Sequence, residues 1–147
     1  PALEVHELGE RPRREIGVGR RIHLDKPMQL DELARKLKKH LGIGYVRVAP
    51  AAGKGDRIKV QTIGLCAGAG GSVCNLAVDD GCEVFITGEM THHDVVAATA
   101  SGCTVVLTGH TNSERGFLPK LKEQLTTLLP EVVISVSKAD APLWTYF

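Results

Sequence analysis

No lysine or arginine stands between Lys59 and Arg115, although the chain of 147 residues carries 18 of them against 17 acids. The same stretch holds six acids, Asp79, Asp80, Glu83, Glu89, Asp94 and Glu114, and three of the six histidines, His92, His93 and His110. Acids and imidazoles without a fixed cation repel phosphate and suit a bound divalent ion, which itself supplies the missing positive charge. The same lack argues against nucleic-acid binding through this region. Long apolar runs are also missing: none exceeds about five residues, where a membrane-spanning helix needs ~20. Pro1 to Glu10 carry three acids and no apolar stretch, so no secretory signal is read there. A cytoplasmic setting is expected, with a mitochondrial or nuclear one left open.

The four cysteines, Cys66, Cys74, Cys82 and Cys103, form no C-x-x-C pair; their spacings of 8, 8 and 21 do not suit a four-cysteine zinc site. They read as buried, reduced thiols. With 43% hydrophobic and 24% charged residues the composition is that of a globular domain, neither disordered nor a disulfide scaffold. The length allows one domain that buries roughly two-thirds of its unfolded surface. Net charge is +1, but residues 1–40 hold ten Lys or Arg against seven acids. Solvated charge explains that basic stretch, although it is also available to anions.

Residues 1–14 read as an N-terminal extension and 15–147 as a single α/β domain. Gln29 to Leu41 places Leu30, Leu33, Ala34, Leu37 and Leu41 on one face, with Lys38, Lys39 and His40 in the last turn and Gly42 behind, which predicts an amphipathic helix with a stop. Ile16 to Leu24, with Gly17 and Gly19, reads as a strand with a bulge. Tyr45 to Ala49 and Ile58 to Cys66 read as strands, joined as a hairpin through Pro50, Gly53 and Gly55.

From there strands and helices alternate: Ile58 to Cys66, Ser72 to Asp80, Glu83 to Thr87, Thr91 to Ala100, Cys103 to Thr108. The short, continuously apolar strands predict an α/β fold, a mixed or mostly parallel sheet with helices on both faces. Phe117 to Leu129 predicts a helix with Phe117, Leu118, Leu121, Leu125 and Leu128 inward, Pro119 in its first turn and Pro130 ending it. Glu131 to Ser137 reads as a final strand. The tail from Leu143 to Phe147 holds three of the six aromatic residues and is expected to pack on its own sheet or, less simply, on a partner.

In open α/β sheets, ligands bind beyond the carboxyl ends of the strands, and three turns meet there. The first, Gly68-Ala69-Gly70-Gly71-Ser72, is a poor nucleotide loop: it lacks the last glycine of G-x-G-x-x-G and the Lys of the P-loop. A tight turn with Ser72 as helix cap, or a close backbone approach to another ligand, fits it better. The second runs from Thr87 to Asp94, with Thr91 as cap. Adjacent histidines point ~100° apart on a helix, so one of His92 and His93 faces the crevice, with Glu89 on the turn beside it. His93 is a candidate ligand or acid/base group, against a plain surface histidine. The third gives His110 and Glu114 four residues apart on one side of a helical turn, ~6 Å between Cβ atoms. An imidazole and a carboxylate so placed grip one divalent ion, although such pairs also occur as surface hydrogen bonds.

Three runs together, Leu65-Cys66-Ala67-Gly68-Ala69-Gly70-Gly71-Ser72, Ile86 to Asp94 and Gly109 to Gly116, resemble the Ngg-one-interacting factor three family, also labelled GTP cyclohydrolase type 2 homologues. Gly17-Val18-Gly19-Arg20 and the helix after it are similar to that family too, so the resemblance covers about residues 15–140 and corresponds to the family's C-terminal part. It implies two α/β halves, a toroidal hexamer built from dimers, and a pair of divalent ions, zinc, manganese or iron, between the halves. Carried over residue by residue, His110 and Glu114 match metal ligands, and Glu89 and His93 match positions near the metal cavity. The family's other ligands, a histidine pair and an aspartate, belong to an N-terminal half without a counterpart in this sequence. His92 and His93 are not that pair. Pro1 fits either a trimmed start or a piece of a longer polypeptide.

Two functions follow as expectations. One is a metal-dependent hydrolase acting on a nucleotide or phosphoester, with Glu89 or His93 moving protons. The other is an oligomeric partner-binding or coregulator-binding protein whose metal site is structural or incomplete.

Overall fold

The computed structural model describes residues 4–6, 17–55, 57–141 and 144. Six strands form one sheet in the order β1-β2-β4-β5-β6-β3, where β1 is Glu4–His6, β2 Arg20–Gln29, β3 Arg47–Ala49, β4 Lys59–Ala69, β5 Val84–Glu89 and β6 Thr104–Leu107. The sheet is mixed. β4, β5 and β6 run parallel, while β1 and β2, β2 and β4, and β3 and β6 pair antiparallel.

Helices lie on both faces, and the period of two along each strand decides which residues meet which helix. On one face, Ile63, Val84 and Val106 pack with Leu30 and Leu33 of α1 (Leu30–Leu41). On the other, Phe85, Val105 and Leu107 pack with Val73, Cys74 and Ala77 of α2 (Gly71–Asp79) and Ala98 of α3 (His92–Ala100). Helix α1 ends as its sequence predicts, at Gly42 with φ of 67° and its N–H on the Lys38 carbonyl. Glu83 ties the start of β5 to β4, its Oε2 accepting the N–H groups of Gln61 at 2.7 Å and Thr62 at 2.9 Å. All four cysteines are free and buried. Burial pushes the Cys74 thiol up to about 11, and the Cys82 and Cys103 thiols up to about 12, which leaves them unreactive.

Several expectations change. The hairpin does not form: β3 crosses to the far edge and pairs with β6, Arg47 opposite Leu107. Both sides of β4 are already taken by β2 and β5, and the loop after β3 is held to the other edge. There the Ala51 N–H donates to Thr104 Oγ1 at 3.1 Å and the Ala52 N–H to the Thr99 carbonyl. The bulge in β2 falls between His23 and Met28 rather than at the glycines; Pro27 stands in that gap and has no N–H for the ladder. Ile16 and most of the N-terminal extension lie outside the described residues.

Ser72 does not cap α2. The cap is Gly70, without a side-chain bond, and only glycine fits there, since a Cβ would collide with Thr87 and Phe85. Among the described residues no strand forms over 131–137. That segment runs beside α5 (Leu118–Leu128), enclosing a groove of about 350 Å3 between Leu121 and Leu125 on one side and Ile134 and Val136 on the other. Helix α5 buries none of its side chains, since α1, α2 and α3 already cover the sheet, so the expected inward face of Phe117, Leu121 and Leu128 stays exposed. In the tail, Trp144 is exposed; Leu143 and residues 145–147 lie outside the described residues. No described helix is long and apolar enough to cross a membrane.

Phe85 is fully buried in the middle of the central strand. Phe85→Ala is expected to lower stability by about 3–5 kcal/mol, read as a reduced urea midpoint with the slope unchanged.

Candidate functional site

The parallel strands β4, β5 and β6 deliver three turns to one sheet edge, and the backbone there is packed too tightly for side chains. The ladder continues past the strands, with Thr108 N–H on the Thr87 carbonyl at 3.0 Å and Gly109 N–H on the Gly88 carbonyl at 2.9 Å. Gly88 sits at the centre. A Cβ on it would lie 2.6 Å from the Gly68 carbonyl oxygen, 2.7 Å from Ser113 Oγ and 2.8 Å from His110 Cα. Gly109, at φ of 93°, turns the chain directly into the short helix α4, His110–Glu114.

Polar contacts fix α4 on this platform. Ser113 Oγ accepts the Gly68 N–H at 2.8 Å and donates to the His110 carbonyl at 2.6 Å. Asn112 Nδ2 donates to the Thr108 carbonyl. The buried Thr87 hydroxyl donates to the Gly68 carbonyl at 3.0 Å, holding the turn after β4, where Gly68 has φ of 69°.

The result is an imidazole between two carboxylates. His110 Nδ1 lies 2.8 Å from Glu89 Oε1, and His110 Nε2 lies 3.3 Å from Glu114 Oε1. All three side chains are about half exposed, open to a ligand. The hydrogen bond that His110 donates to Glu89, with the nearby Glu114 charge, raises the His110 pKa above its ordinary value against some desolvation. With Nδ1–H donated to Glu89, the neutral ring turns its Nε2 lone pair toward the Glu114 oxygen. Two acceptors then face each other, an arrangement that favours a proton or a cation between them.

Metal bonds of ~2.0–2.2 Å set neighbouring ligand atoms roughly 3.0–3.5 Å apart, and the Nε2 to Oε1 separation falls in that range. A close approach by Gly68 completes this side: a Cβ there would stand 2.5 Å from Glu114 Oε1 and 3.2 Å from His110 Nε2. The residues therefore fit two ligands of one ion. They do not form a full set, since among the described residues no group of three His, Cys, Asp or Glu is arranged to hold a metal. Glu89 lies at the opposite ring nitrogen and acts on the imidazole instead.

Of the residues singled out in the sequence, the fold brings Glu89, His110 and Glu114 together. His93 stands exposed in the first turn of α3, its ring edge-on to His92 with centroids 6.0 Å apart. Thr91 caps that helix as expected, accepting the Asp94 N–H. Ser113, Thr87 and Gly88 escaped the sequence reading. Only the glycine-rich spacing hinted at close backbone contact, and nothing local showed which turns would meet.

A sequence model of the family described as Duf34/NIF3 (NGG1p interacting factor 3) matches residues 2–142. NIF3-like protein 1 of Bos taurus is 38% identical over 125 residues, covering 84% of this chain and 32% of that protein. The NGG1-interacting factor 3 of Saccharomyces cerevisiae is 34% identical over 128 residues, covering 85% and 44%. Among solved structures, a Bacillus cereus protein related to NIF3 superposes with a TM-score of 0.71 at 27% identity, covering 89% of this chain and 36% of that one. The chain thus spans about a third to under a half of the length of these relatives.

Two outcomes test the geometry. Gly88→Ala is expected to destabilise by about 2–3 kcal/mol through overpacking against backbone, measured by urea unfolding. In the metal-free protein, His110 is expected to titrate above its ordinary value by NMR, and Glu89→Gln to lower it, since the largest raising cause is removed. The raised value sets the sign for stability. The pair's contribution is complete below the unfolded pKa of ~6.5 and is lost as pH rises through the folded one.

Proposed function

The chain belongs to the NIF3 family, and from that premise we propose that it carries part of a divalent-metal centre of hydrolase type, with His110 Nε2 and Glu114 as ligands. The observation that carries this is the approach of His110 Nε2 and Glu114 Oε1 to 3.3 Å at the strand ends, in a stretch of chain without Lys or Arg. Zinc, manganese or iron suits an imidazole and carboxylate set.

Glu89 is the positioning residue. By accepting from Nδ1 it fixes the ring orientation and the tautomer that leaves Nε2 free. When bound, the ion supplies Lewis acidity for hydrolysis of a phosphoester or nucleotide. In this reading the proton is moved either by Glu89, in addition to its hold on the ring, or by His93 at the start of the neighbouring helix. Two protein ligands make a weak site. The rest, including those for a second ion, come in this proposal from another subunit of a homo-oligomer or from the remaining length of a longer polypeptide.

A second reading is favoured by a separate observation: Phe117, Leu128, Val132, Val133 and Trp144 are all at least half exposed, and exposed apolar side chains in number are a feature of protein-binding surfaces. The relative from Saccharomyces cerevisiae is named for an interaction with NGG1. In this reading the protein is an oligomeric partner-binding or coregulator-binding protein, and the metal is structural.

Elemental analysis and Mn2+ titration of the purified protein, with solution mass from the same sample, test the proposal. Metal is expected in the wild type and lost in His110→Ala and in Glu114→Ala, with Glu89→Gln binding ~10–100-fold more weakly. A wild type that binds no divalent ion, or a Glu114→Ala protein that binds as the wild type does, overturns it. Partner binding that survives His110→Ala supports the second reading.

A further inference from the structure

The cation-free stretch poses a problem for any anionic ligand at this sheet edge, and the unexpected place of β3 answers it. Because β3 pairs with β6, Arg47 stands opposite Leu107, three residues before His110. A cavity of about 260 Å3 opens there between β3 and the start of α3. It is lined by Ala49, Leu107, Met90 and Val95, and by two polar side chains, Arg47 and His92. Met90 directly follows Glu89, so the cavity adjoins the metal-type site along two chain segments.

Arg47 is exposed and, among the described residues, has neither an ion pair nor a side-chain hydrogen bond. The nearest acid along α3, Asp94, faces elsewhere. Its Oδ2 accepts from Thr91 Oγ1 at 2.8 Å and would lie 2.6 Å from a Cβ on Gly71, on the side of α2. The cavity thus combines an unneutralised guanidinium fork, an imidazole and apolar walls, and no carboxylate lines it.

We propose that this cavity is an anion subsite taking a small phosphomonoester, its phosphate on Arg47 and His92 and its apolar body against Ala49, Met90 and Val95. The Arg47 fork takes two oxygens of a phosphate, and a ring N–H of His92 is a donor for the third, which a carboxylate lacks. A cavity of this size takes a ligand of about one ring. The inference deepens the metal reading by naming the ligand class of the same edge, and rests on that reading only for what the ligand would meet next.

The test titrates isotope-labelled protein with phenyl phosphate in the presence of EDTA, followed by backbone amide shifts, so that its result does not depend on metal. Shifts are expected at Arg47–Ala49, Met90–Val95 and Leu107–His110, and not with benzyl alcohol at the same concentration. Arg47→Gln, at an exposed position, is expected to weaken binding about ten-fold, as loss of a charged hydrogen-bond donor does. Arg47→Lys is expected to fall between the two, since it keeps the charge and loses the fork. The proposal is overturned if phenyl phosphate moves these amides no more than benzyl alcohol does, or if Arg47→Gln binds it as tightly as the wild type.

Discussion

The structure depends on the parallel register of β4, β5 and β6, because that register alone brings three turns from distant parts of the chain into backbone contact. Gly88 is the point where they touch, with the Gly68 carbonyl, Ser113 and the His110 Cα all inside the space of one missing Cβ. The helices on both faces hold the strands in that register, through Phe85 and Val105 on one side and Val84 and Val106 on the other. Core packing therefore sets the position of an exposed site. The Glu89 to His110 contact follows from the two turns being locked side by side, not from any attraction strong enough to assemble them, for the pair is half exposed and screened by solvent.

Charge is distributed around that platform by topology. The central α/β segment supplies acids and imidazoles, and Arg47 arrives from β3, which sequence order places far away and sheet order places beside β6. A hairpin between β3 and β4 would have carried Arg47 to the opposite side of the sheet's centre. Pairing with β6 instead sets a guanidinium on the side of a carboxylate-rich site, and among the described residues no carboxylate lines the space between β3 and α3.

A different region shows what this chain leaves unsatisfied. Helix α5 and the segment after it carry the apolar pattern of elements that belong in a core, yet Leu128, Val132 and Val133 are exposed, Val133 at 98%. The bidentate contact of Arg115 with Asp140 fastens this segment to the end of α4. The relatives are two to three times as long as the span they share with this chain, and an apolar face of this kind is what a further domain or subunit would cover.

The sequence by itself determined the local elements and the chemistry available. The α1 leucine face, its stop at Gly42, the Thr91 cap and the His110 to Glu114 spacing were all legible, because each depends on residues within a turn or two of one another. The α/β class followed from short apolar strands alternating with helices, which is also a local pattern. Tertiary structure decided what depends on which edges and faces are free. It sent β3 to β6, left 131–137 unpaired and α5 uncovered, and started α2 after Gly70, where Thr87 and Phe85 leave room only for glycine. It also placed Glu89 on the imidazole of His110 from a strand twenty-one residues earlier. Spacing along a chain fixes neighbours on one helix, but neighbours across a sheet are fixed only when packing has chosen the order of the strands.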